Sequence, residues 1–300
     1  MIEIAVRLKP FSHRVGEVCM IPGTSVQVQA FPTRLFFLDL VTGKRWEEKL
    51  SWKGPVEGFT VELDLIKGSV NIFGQTREGF CRHSIAGQTT SRKYEILSLG
   101  KHTKLDWDLV LRRMNMEEVV PVLFLLGQQV PFAEAISPTL ELLQFSDKRD
   151  IAKQLKNFFR VGFSGMCVPR LVDADFQGII EEGKIEGSPL ALLSYGYRAM
   201  RALFFQEKQD TLTFLPHLPP EFHAGRLIHL HTTEGDEISL EWSKKILKRV
   251  VIKPAITRAI FLALQKPLSS FRINRKIRQS TKLPLQLEAG KTLVLDRFEK

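Results

Sequence analysis

Apolar and polar residues alternate along the first third of the chain. The alternation is clear at residues 25–29, 59–65 and 69–74, and Gly or Pro residues bound each run. Side chains two apart lie on the same face of a strand, so each run predicts a strand with one packed face and one solvated face. Such strands are typical of antiparallel sheets. We therefore predict an N-terminal antiparallel β-sandwich at residues 1–98.

A helical pattern replaces the alternation after Gly100. Apolar residues at helical spacing predict helices at 105–114, 133–145, 150–159 and 189–205. Thr103 or Lys104 is expected near the start of the first helix, where acidic side chains follow and favour the helix dipole. The pattern predicts a short helical middle region at 104–207.

Alternation returns in the last third of the chain. Short runs recur at regular spacing after Asp210, with turn residues between them, at 227–231, 237–242, 247–252, 259–264, 270–273 and 291–295. That rhythm predicts a C-terminal antiparallel β-sandwich at 208–300. The predicted fold class is therefore α+β and mainly β, with a helical region between two sandwiches.

Composition changes this picture only at the C-terminal end. The chain of 300 residues is 44% hydrophobic and 25% charged, which is ordinary for a globular protein. Its net charge of +10 is uneven, because residues 243–300 contain 15 Lys and Arg against 3 Asp and Glu. A basic domain of this kind can meet nucleic acid, phosphate or a membrane surface. The interleaving with apolar residues favours the alternative, a sandwich with Lys and Arg on its solvent faces.

Three features of the sequence indicate the cellular compartment: the start of the chain, its apolar runs and its cysteines. Met1-Ile2-Glu3 leads into an alternating segment, so we expect no secretory signal. The longest apolar run, 119–126, contains Pro121 and is far shorter than the ~20 residues of a membrane span. Three widely spaced cysteines indicate neither a disulfide framework nor a zinc site. We expect a reduced, cytoplasmic protein without a membrane span or cofactor.

The start of the last third resembles a known family. Leu215-Pro216-His217-Leu218-Pro219 is followed by Gly225-Arg226-Leu227 and by a strand that ends in Trp242. This passage resembles the one that joins the (α/α) barrel to the C-terminal β-domain in alpha-fucosidase-type inverting glycoside hydrolases. That family has a Leu-Pro-x-Leu-Pro turn and a Gly-x-x-x-Gly-Leu strand there, and here a His takes the second Gly position. The resemblance covers about 110 residues, Pro189 to Lys300, and includes the last barrel helix.

The resemblance implies a link to carbohydrates but supplies no catalytic residue. The family's catalytic carboxylates lie in the barrel, and nothing before Pro189 matches a barrel signature. Twelve helices of ~11–12 residues with loops of ~4–6 residues need ~190 residues, about twice the length of 104–207. We therefore expect a barrel reduced to a few helices, and the catalytic residues stay unknown.

One aromatic cluster is a candidate for carbohydrate binding. Trp107 lies between Asp106 and Asp108, with His102 upstream, so a ring that could stack on a sugar has polar neighbours. A Trp at a helix start is, however, more often a core anchor, because the indole buries a large apolar area. Its acidic neighbours are then explained by the helix dipole.

The basic C-terminal region supplies candidates for anion binding, namely Arg272, Arg275, Lys276 and Arg278. Lys276 and Arg278 point the same way if the strand at 270–273 continues.

His229 and His231 share one face of a predicted strand, but no third ligand has a suitable spacing, so we expect no metal site.

Three functions stay open. The first is a carbohydrate-associated binding or scaffolding module, related to glycoside hydrolases but without turnover. The second is a small carbohydrate-active hydrolase or lyase that uses the reduced helical layer. The third is an adaptor that binds an anionic partner through the basic C-terminal domain. A groove at the sheet–helix junction, lined by Trp107 and two carboxylates, would favour the enzyme, and a filled helical layer would favour the scaffold. The substrate and the oligomeric state do not follow from the sequence.

Overall fold

Two regions rich in strands flank a group of helices. The computed structural model describes residues 2–4, 8–87, 93–100, 104–133, 150–170 and 188–299. Within these ranges the predicted fold class, mainly β with a helical middle region between sandwich-like pairs of sheets, is confirmed. The predicted helix at 133–145 lies outside the described residues except for Ala133.

The N-terminal region forms two four-stranded antiparallel sheets. Its strands are β1 (Phe11–Ser12), β2 (Glu17–Met20), β3 (Val26–Ala30), β4 (Arg34–Asp39), β5 (Arg45–Lys49), β6 (Glu57–Asp64), β7 (Ser69–Thr76) and β8 (Gly79–Ala86). One sheet has the order β2-β3-β4-β5 and the other the order β1-β6-β7-β8. The predicted strands correspond to β3, β6 and β7. The pattern did not predict β5, whose residues are all exposed, so apolar and polar residues do not alternate there.

The middle region contains four described helices, α1 (Trp107–Arg113), α2 (Met116–Gln129), α3 (Ile151–Gly162) and α4 (Leu190–Phe204). A short hairpin of β10 (Phe163–Ser164) and β11 (Val168–Pro169) follows α3. The positions of α1, α3 and α4 confirm three predicted helices. The sequence did not predict α2, which contains Pro121 and is buried nearly all round. A helix without a polar face lacks the periodic signal on which the prediction depends.

The C-terminal region forms a seven-stranded and a four-stranded sheet. Its strands are β9 (Ile96–Leu99), β12 (Phe205–Lys208), β13 (Thr211–Phe214), β14 (Ala224–His231), β15 (Glu237–Ser243), β16 (Ile246–Lys253), β17 (Arg258–Ala263), β18 (Ser270–Ile273), β19 (Ile277–Ser280), β20 (Leu285–Leu287) and β21 (Leu293–Glu299). The sheet orders are β19-β18-β21-β16-β15-β14-β9 and β12-β13-β17-β20. The pairing of β13 with β17 is parallel, unlike the antiparallel pairing predicted throughout.

One hydrophobic core runs through all three regions. It includes Ile72 of the N-terminal sheets, Phe124 of α2, Phe204 of α4 and Trp242 of the C-terminal sheet. The rings of Phe204 and Trp242 stack with centroids 5.4 Å apart. The helical layer is thus packed between the two strand regions and is stabilised by both of them.

A buried ion pair joins the helices to the C-terminal sheet. Glu95, 2% exposed, accepts hydrogen bonds from Arg201 Nε at 3.0 Å and from the Tyr197 hydroxyl at 3.0 Å. The His231 backbone N–H also donates to this carboxylate, and Arg201 Nη2 donates to the His231 carbonyl. Because a buried charge is costly unless it is paired, these contacts fix α4 against β14.

Candidate functional site

The first turn of α1 lies where the N-terminal sheets meet the helical layer. Asp106 is the N-cap, and its carboxylate accepts hydrogen bonds from the backbone N–H groups of Asp108 at 3.1 Å and Leu109 at 3.2 Å. The sequence predicted a helix start near Thr103 or Lys104; Thr103 lies outside the described residues, and the observed N-cap is two residues after Lys104. Because the Asp106 carboxylate bonds the helix end, it is not free to contact a ligand through those lone pairs.

Trp107 lies behind this junction and not on its surface. The residue is 1% exposed, and its indole N–H donates to the Gly165 carbonyl at 2.7 Å. Its ring meets Phe159 edge to face, with centroids 5.9 Å apart. Trp107 therefore has the position of a core anchor, and its ring presents no open face for stacking on a sugar. His102, the fourth residue of the predicted cluster, lies outside the described residues.

Asp108 faces the turn between β1 and β2. Its Oδ1 lies 3.7 Å from Arg14 Nη1, and its side chain is 30% exposed. Glu17, which opens β2, belongs to the same group of charges. Burial raises the pKa of Glu17, and the nearby Asp108 raises it further, while a hydrogen bond from Ser12 and the charge of Arg14 lower it. The structure thus brings together two carboxyl groups from separate parts of the chain.

Gly165 lies next to Glu17 and also lines a groove. The backbone φ of Gly165 is +47°, a conformation that favours glycine. A Cβ at this position would also lie 2.4 Å from the Val18 carbonyl oxygen, so only a residue without a side chain fits. The same Cβ would lie 3.2 Å from Glu17 Oε1. On its other side Gly165 lines a groove of about 570 Å³ between α1 and the segment from α3 to β11.

The groove has an apolar floor and a polar rim. Leu111 and Met114 of α1 face Phe159 and Phe163 across it. The rim consists of Lys156, Asn157, Arg160, Ser164 and Arg170. None of the residues described as lining the groove is Asp or Glu. The groove can therefore accept a ligand that combines an apolar face with acceptor or negatively charged groups.

A second hollow, of about 440 Å³, lies beside β12 and β17. Two of its lining side chains, Glu207 and Arg258, form hydrogen bonds within the chain. Glu207 Oε2 accepts from the Thr233 N–H at 2.9 Å, and Arg258 Nη2 donates to Asp236 Oδ2 at 2.6 Å. Across the residues that the structure describes, no group of three or more His, Cys, Asp or Glu side chains could hold a metal ion. This hollow is a weaker candidate than the groove.

The predicted anion-binding residues lie at the edge of the seven-stranded sheet. Arg272 makes a two-fold contact with Asp296, with distances of 2.8 and 3.0 Å, and Arg278 is ion-paired with Glu299. The Arg272 hydrogen bond lowers the pKa of Asp296. Two of the four candidate cations therefore have carboxylate partners within the chain.

The other two candidates lie in a tight turn. The chain reverses between β18 and β19, where Asn274 and Arg275 have φ of +47° and +64°, and the Lys276 N–H donates to the Ile273 carbonyl. The strand at 270–273 does not continue through Lys276, because two left-handed residues form the turn that hairpins require. Arg275 and Lys276 are exposed at its tip.

The sheet that contains these residues has a row of charges across it. Neighbouring strands pair six charged residues in register: Arg226, Glu241, Arg249, Asp296, Arg272 and Arg278. The first five alternate in sign, and Arg226 Nε lies 3.0 Å from Glu241 Oε1. Opposite charges on facing strands stabilise a sheet. We call these six residues the charge row.

Sequence reasoning missed the residues of the groove and the buried acid. Glu17 belongs to no motif, and only the tertiary structure places it near Asp108. A signal for the groove was readable, because α3 contains Lys153, Lys156 and Arg160 but no Asp or Glu. Two of these cations are four residues apart, and helical neighbours at that spacing share a face.

Comparison with known proteins adds no assignment. No protein-family model matches the chain, and a search of curated proteins finds no match either. The resemblance of the last third to alpha-fucosidase-type hydrolases therefore stays a prediction. Among the described helices, none is both long enough and apolar enough to span a membrane.

Proposed function

We propose that this protein binds carbohydrate, without hydrolysing it, in the groove between α1 and α3. The observation that supports the proposal is the pairing of an apolar floor with hydrogen-bonding groups on the rim. A sugar ring has C–H faces and hydroxyl edges, so Leu111 and Met114 suit the one while Asn157 and Ser164 suit the other. The volume of about 570 Å³ lies within the range of roughly 300–1,000 Å³ usual for small-ligand sites.

The backbone of β14 supports the resemblance to the sugar-processing family. His229 takes the second Gly position of the Gly-x-x-x-Gly-Leu strand, and its φ is +57°, a conformation that Gly adopts most easily. At the first position, a Cβ on Gly225 would lie 2.3 Å from the Trp242 ring. Both positions thus have a physical reason to be Gly, and Trp242 in turn stacks on the last helix.

The positions of the described carboxylates support the proposal that the protein does not hydrolyse its ligand. Glycoside hydrolysis requires two carboxyl groups on either side of the scissile bond, roughly 5–9.5 Å apart. No carboxylate is present among the described groove residues, Asp106 caps α1, and Asp108 lies beside Arg14. A bound sugar would therefore meet cations and amides and no acid–base pair.

A second function, a small carbohydrate-active hydrolase, is favoured by one observation. Glu17 has a pKa raised by burial and lies near Asp108, and glycosidases use two carboxyl groups of which the general acid has a raised pKa. In this alternative Glu17 would donate the proton and Asp108 would be the second carboxyl group. The backbone of Gly165 lies between Glu17 and the groove, which is why we prefer binding.

Titration with a panel of neutral and charged oligosaccharides tests the proposal, with tryptophan fluorescence as the signal, because Trp107 contacts Phe159 of the groove. We expect saturable binding that Asn157→Ala weakens. Gln75→Ala, which removes an exposed amide from β7, is the matched control and should leave the affinity unchanged. Binding of no saccharide would contradict the proposal.

Aryl glycosides test the alternative. We expect no hydrolysis by the wild-type protein. Hydrolysis that Glu17→Gln abolishes, with the fold intact, would show that the protein is an enzyme and that the carboxyl pair is its active site.

A further inference from the structure

We infer that the ligand of the groove is an acidic saccharide, one whose rings carry carboxylate or sulfate groups. The inference rests on the proposed function, since it names the class of sugar that the same groove would bind. It follows from the position of Lys156 and Arg160 on α3 and from the charges around them.

Lys156 and Arg160 form one wall of the groove. They lie four residues apart on α3, so their side chains project from the same face of the helix. Both are exposed, while Phe158 and Phe159 of the same helix are buried in the core. The two cations therefore project from a helix whose opposite face is packed in the core.

Neither cation has a counter-ion in the described part of the chain, where no ion pair includes Lys156 or Arg160. Like charges four residues apart in a helix destabilise it. The contrast with the charge row is direct, because Arg226 and Arg272 each contact a carboxylate there. An anion placed between Lys156 and Arg160 would remove the repulsion and gain charge-assisted hydrogen bonds.

The acids nearest to the groove do not oppose an anion. Glu17 lies behind Gly165, and burial raises its pKa, which favours the neutral form. Asp108 is next to Arg14, at 3.7 Å, so its charge is partly balanced. Among the described residues that line the groove, the charged ones are therefore all positive.

The apolar floor of the groove favours an acidic sugar over a simple inorganic anion. Leu111 and Met114, the half-buried apolar residues of the groove, offer nothing to a phosphate or sulfate ion but fit the C–H face of a ring. A ligand that fills the groove must therefore have a ring body with negative groups at its edge. Uronic acids and sulfated sugars have this construction.

The experiment compares ligands that differ only in charge. Tetragalacturonate, its fully methyl-esterified form and a heparin-derived tetrasaccharide are titrated into the wild-type protein by calorimetry, with poly-glutamate as an anion without sugar rings. We expect tetragalacturonate, the heparin tetrasaccharide or both to bind at least about tenfold more tightly than the ester, since a charge-assisted hydrogen bond contributes roughly 1.5–3 kcal/mol. Which of the two binds distinguishes carboxylate from sulfate.

Two double variants locate the site. Lys156→Gln/Arg160→Gln should weaken binding of the acidic saccharide at least about tenfold, while the matched control Arg275→Gln/Lys276→Gln, which removes the same two charges from the hairpin tip, should change it less than about twofold. Equal effects of the two variants would overturn the assignment to the groove. The ligand comparison uses only the wild-type protein, so it decides the class of sugar even if a variant fails to fold.

The remaining outcomes separate the two proposals. Equal affinity for tetragalacturonate and its ester would overturn the acidic class and leave carbohydrate binding standing. Binding of no saccharide would overturn the proposed function itself. Binding of poly-glutamate as tightly as the saccharides would overturn both, because the sugar ring would then contribute nothing.

Discussion

Charged residues have different surroundings in the C-terminal sheet and at the helix–sheet junction. In the charge row, Arg226 contacts Glu241 and Arg272 contacts Asp296, so basic residues are matched within the fold. At the junction, Glu17 is buried with a raised pKa, and Lys156 and Arg160 line a groove without a described counter-ion. The two cations that line the groove therefore differ from Arg226 and Arg272, because no described carboxylate forms an ion pair with them.

This difference matters for locating function. A cation with a carboxylate partner at hydrogen-bond distance gains little from an external anion, because binding would have to replace that partner. A cation that lines an apolar groove and has no partner gives up no ion pair when an anion binds. Excess charge in a sequence segment predicts solvation and general attraction, whereas cations that line a groove together with apolar residues are candidates for a binding site.

The largest effect is expected where a matched pair is buried. Asp236 is completely buried and Arg258 Nη2 lies 2.6 Å from it, so Arg258→Gln leaves a buried carboxylate without its cation. We expect the free energy of unfolding to fall by about 3 kcal/mol. Lys248→Gln, an exposed change on neighbouring β16, should alter it by less than about 0.5 kcal/mol. If the two variants had equal urea midpoints, the buried Arg258–Asp236 pair would stabilise the fold no more than an exposed lysine does.

Glu17→Gln should change how stability depends on pH. The pKa of Glu17 is raised in the folded protein, so the folded state holds the proton more tightly than the unfolded chain does. The wild type then loses stability as pH rises from the ordinary value of 4.5 through the raised pKa, and the Gln variant does not. We expect the variant to gain stability relative to wild type between pH 4 and 7, measured by urea unfolding. A constant difference across this range would contradict a buried, unmatched acid.

Asp296→Asn should give the opposite slope. The Arg272 hydrogen bond lowers the pKa of Asp296, so this carboxylate contributes stability above its ordinary value of 3.8 and loses it as pH falls through the lowered pKa. The variant should be less stable than wild type at pH 7, and the deficit should shrink on acidification. Arg272→Gln should raise the pKa of Asp296, which an NMR titration of its carboxyl carbon measures. An unchanged pKa would mean that the contact is not maintained in solution.

Removing the unmatched cations should not destabilise the fold. Lys156→Gln/Arg160→Gln relieves a like-charge pair, so we expect the free energy of unfolding to stay within about 0.5 kcal/mol of wild type or to rise slightly. Thermal and urea unfolding measure this directly. A loss of more than about 1 kcal/mol would mean that the two side chains have structural partners.

The smallest effect is expected at the hairpin tip. Arg275→Gln/Lys276→Gln should leave stability within about 0.5 kcal/mol of wild type and should not alter retention on heparin, because both residues are exposed in a turn. Salt-dependent binding of a polyanion that this variant loses, with the fold intact, would instead support the adaptor that binds through the C-terminal region.

Local patterns in the sequence were sufficient for the order of the three regions, two rich in strands with helices between them. The alternation at β3, β6 and β7 and the helical spacing at α3 and α4 depend on side chains that are close in the chain, so they predicted strands and helices directly. They also supported the position of Trp107 as a core anchor, since an indole is large and apolar.

Only the tertiary structure decided the rest. It showed that α2 is a helix enclosed on nearly every side, that β9 pairs with β14, and that the chain reverses at Arg275. It also placed Glu17 near Asp108 and set α3 opposite α1 to form the groove. The physical reason is that burial, counter-ion contacts and grooves depend on which segments pack together. Periodicity along one segment reports the face that it buries, but not the residues of other segments that lie against that face.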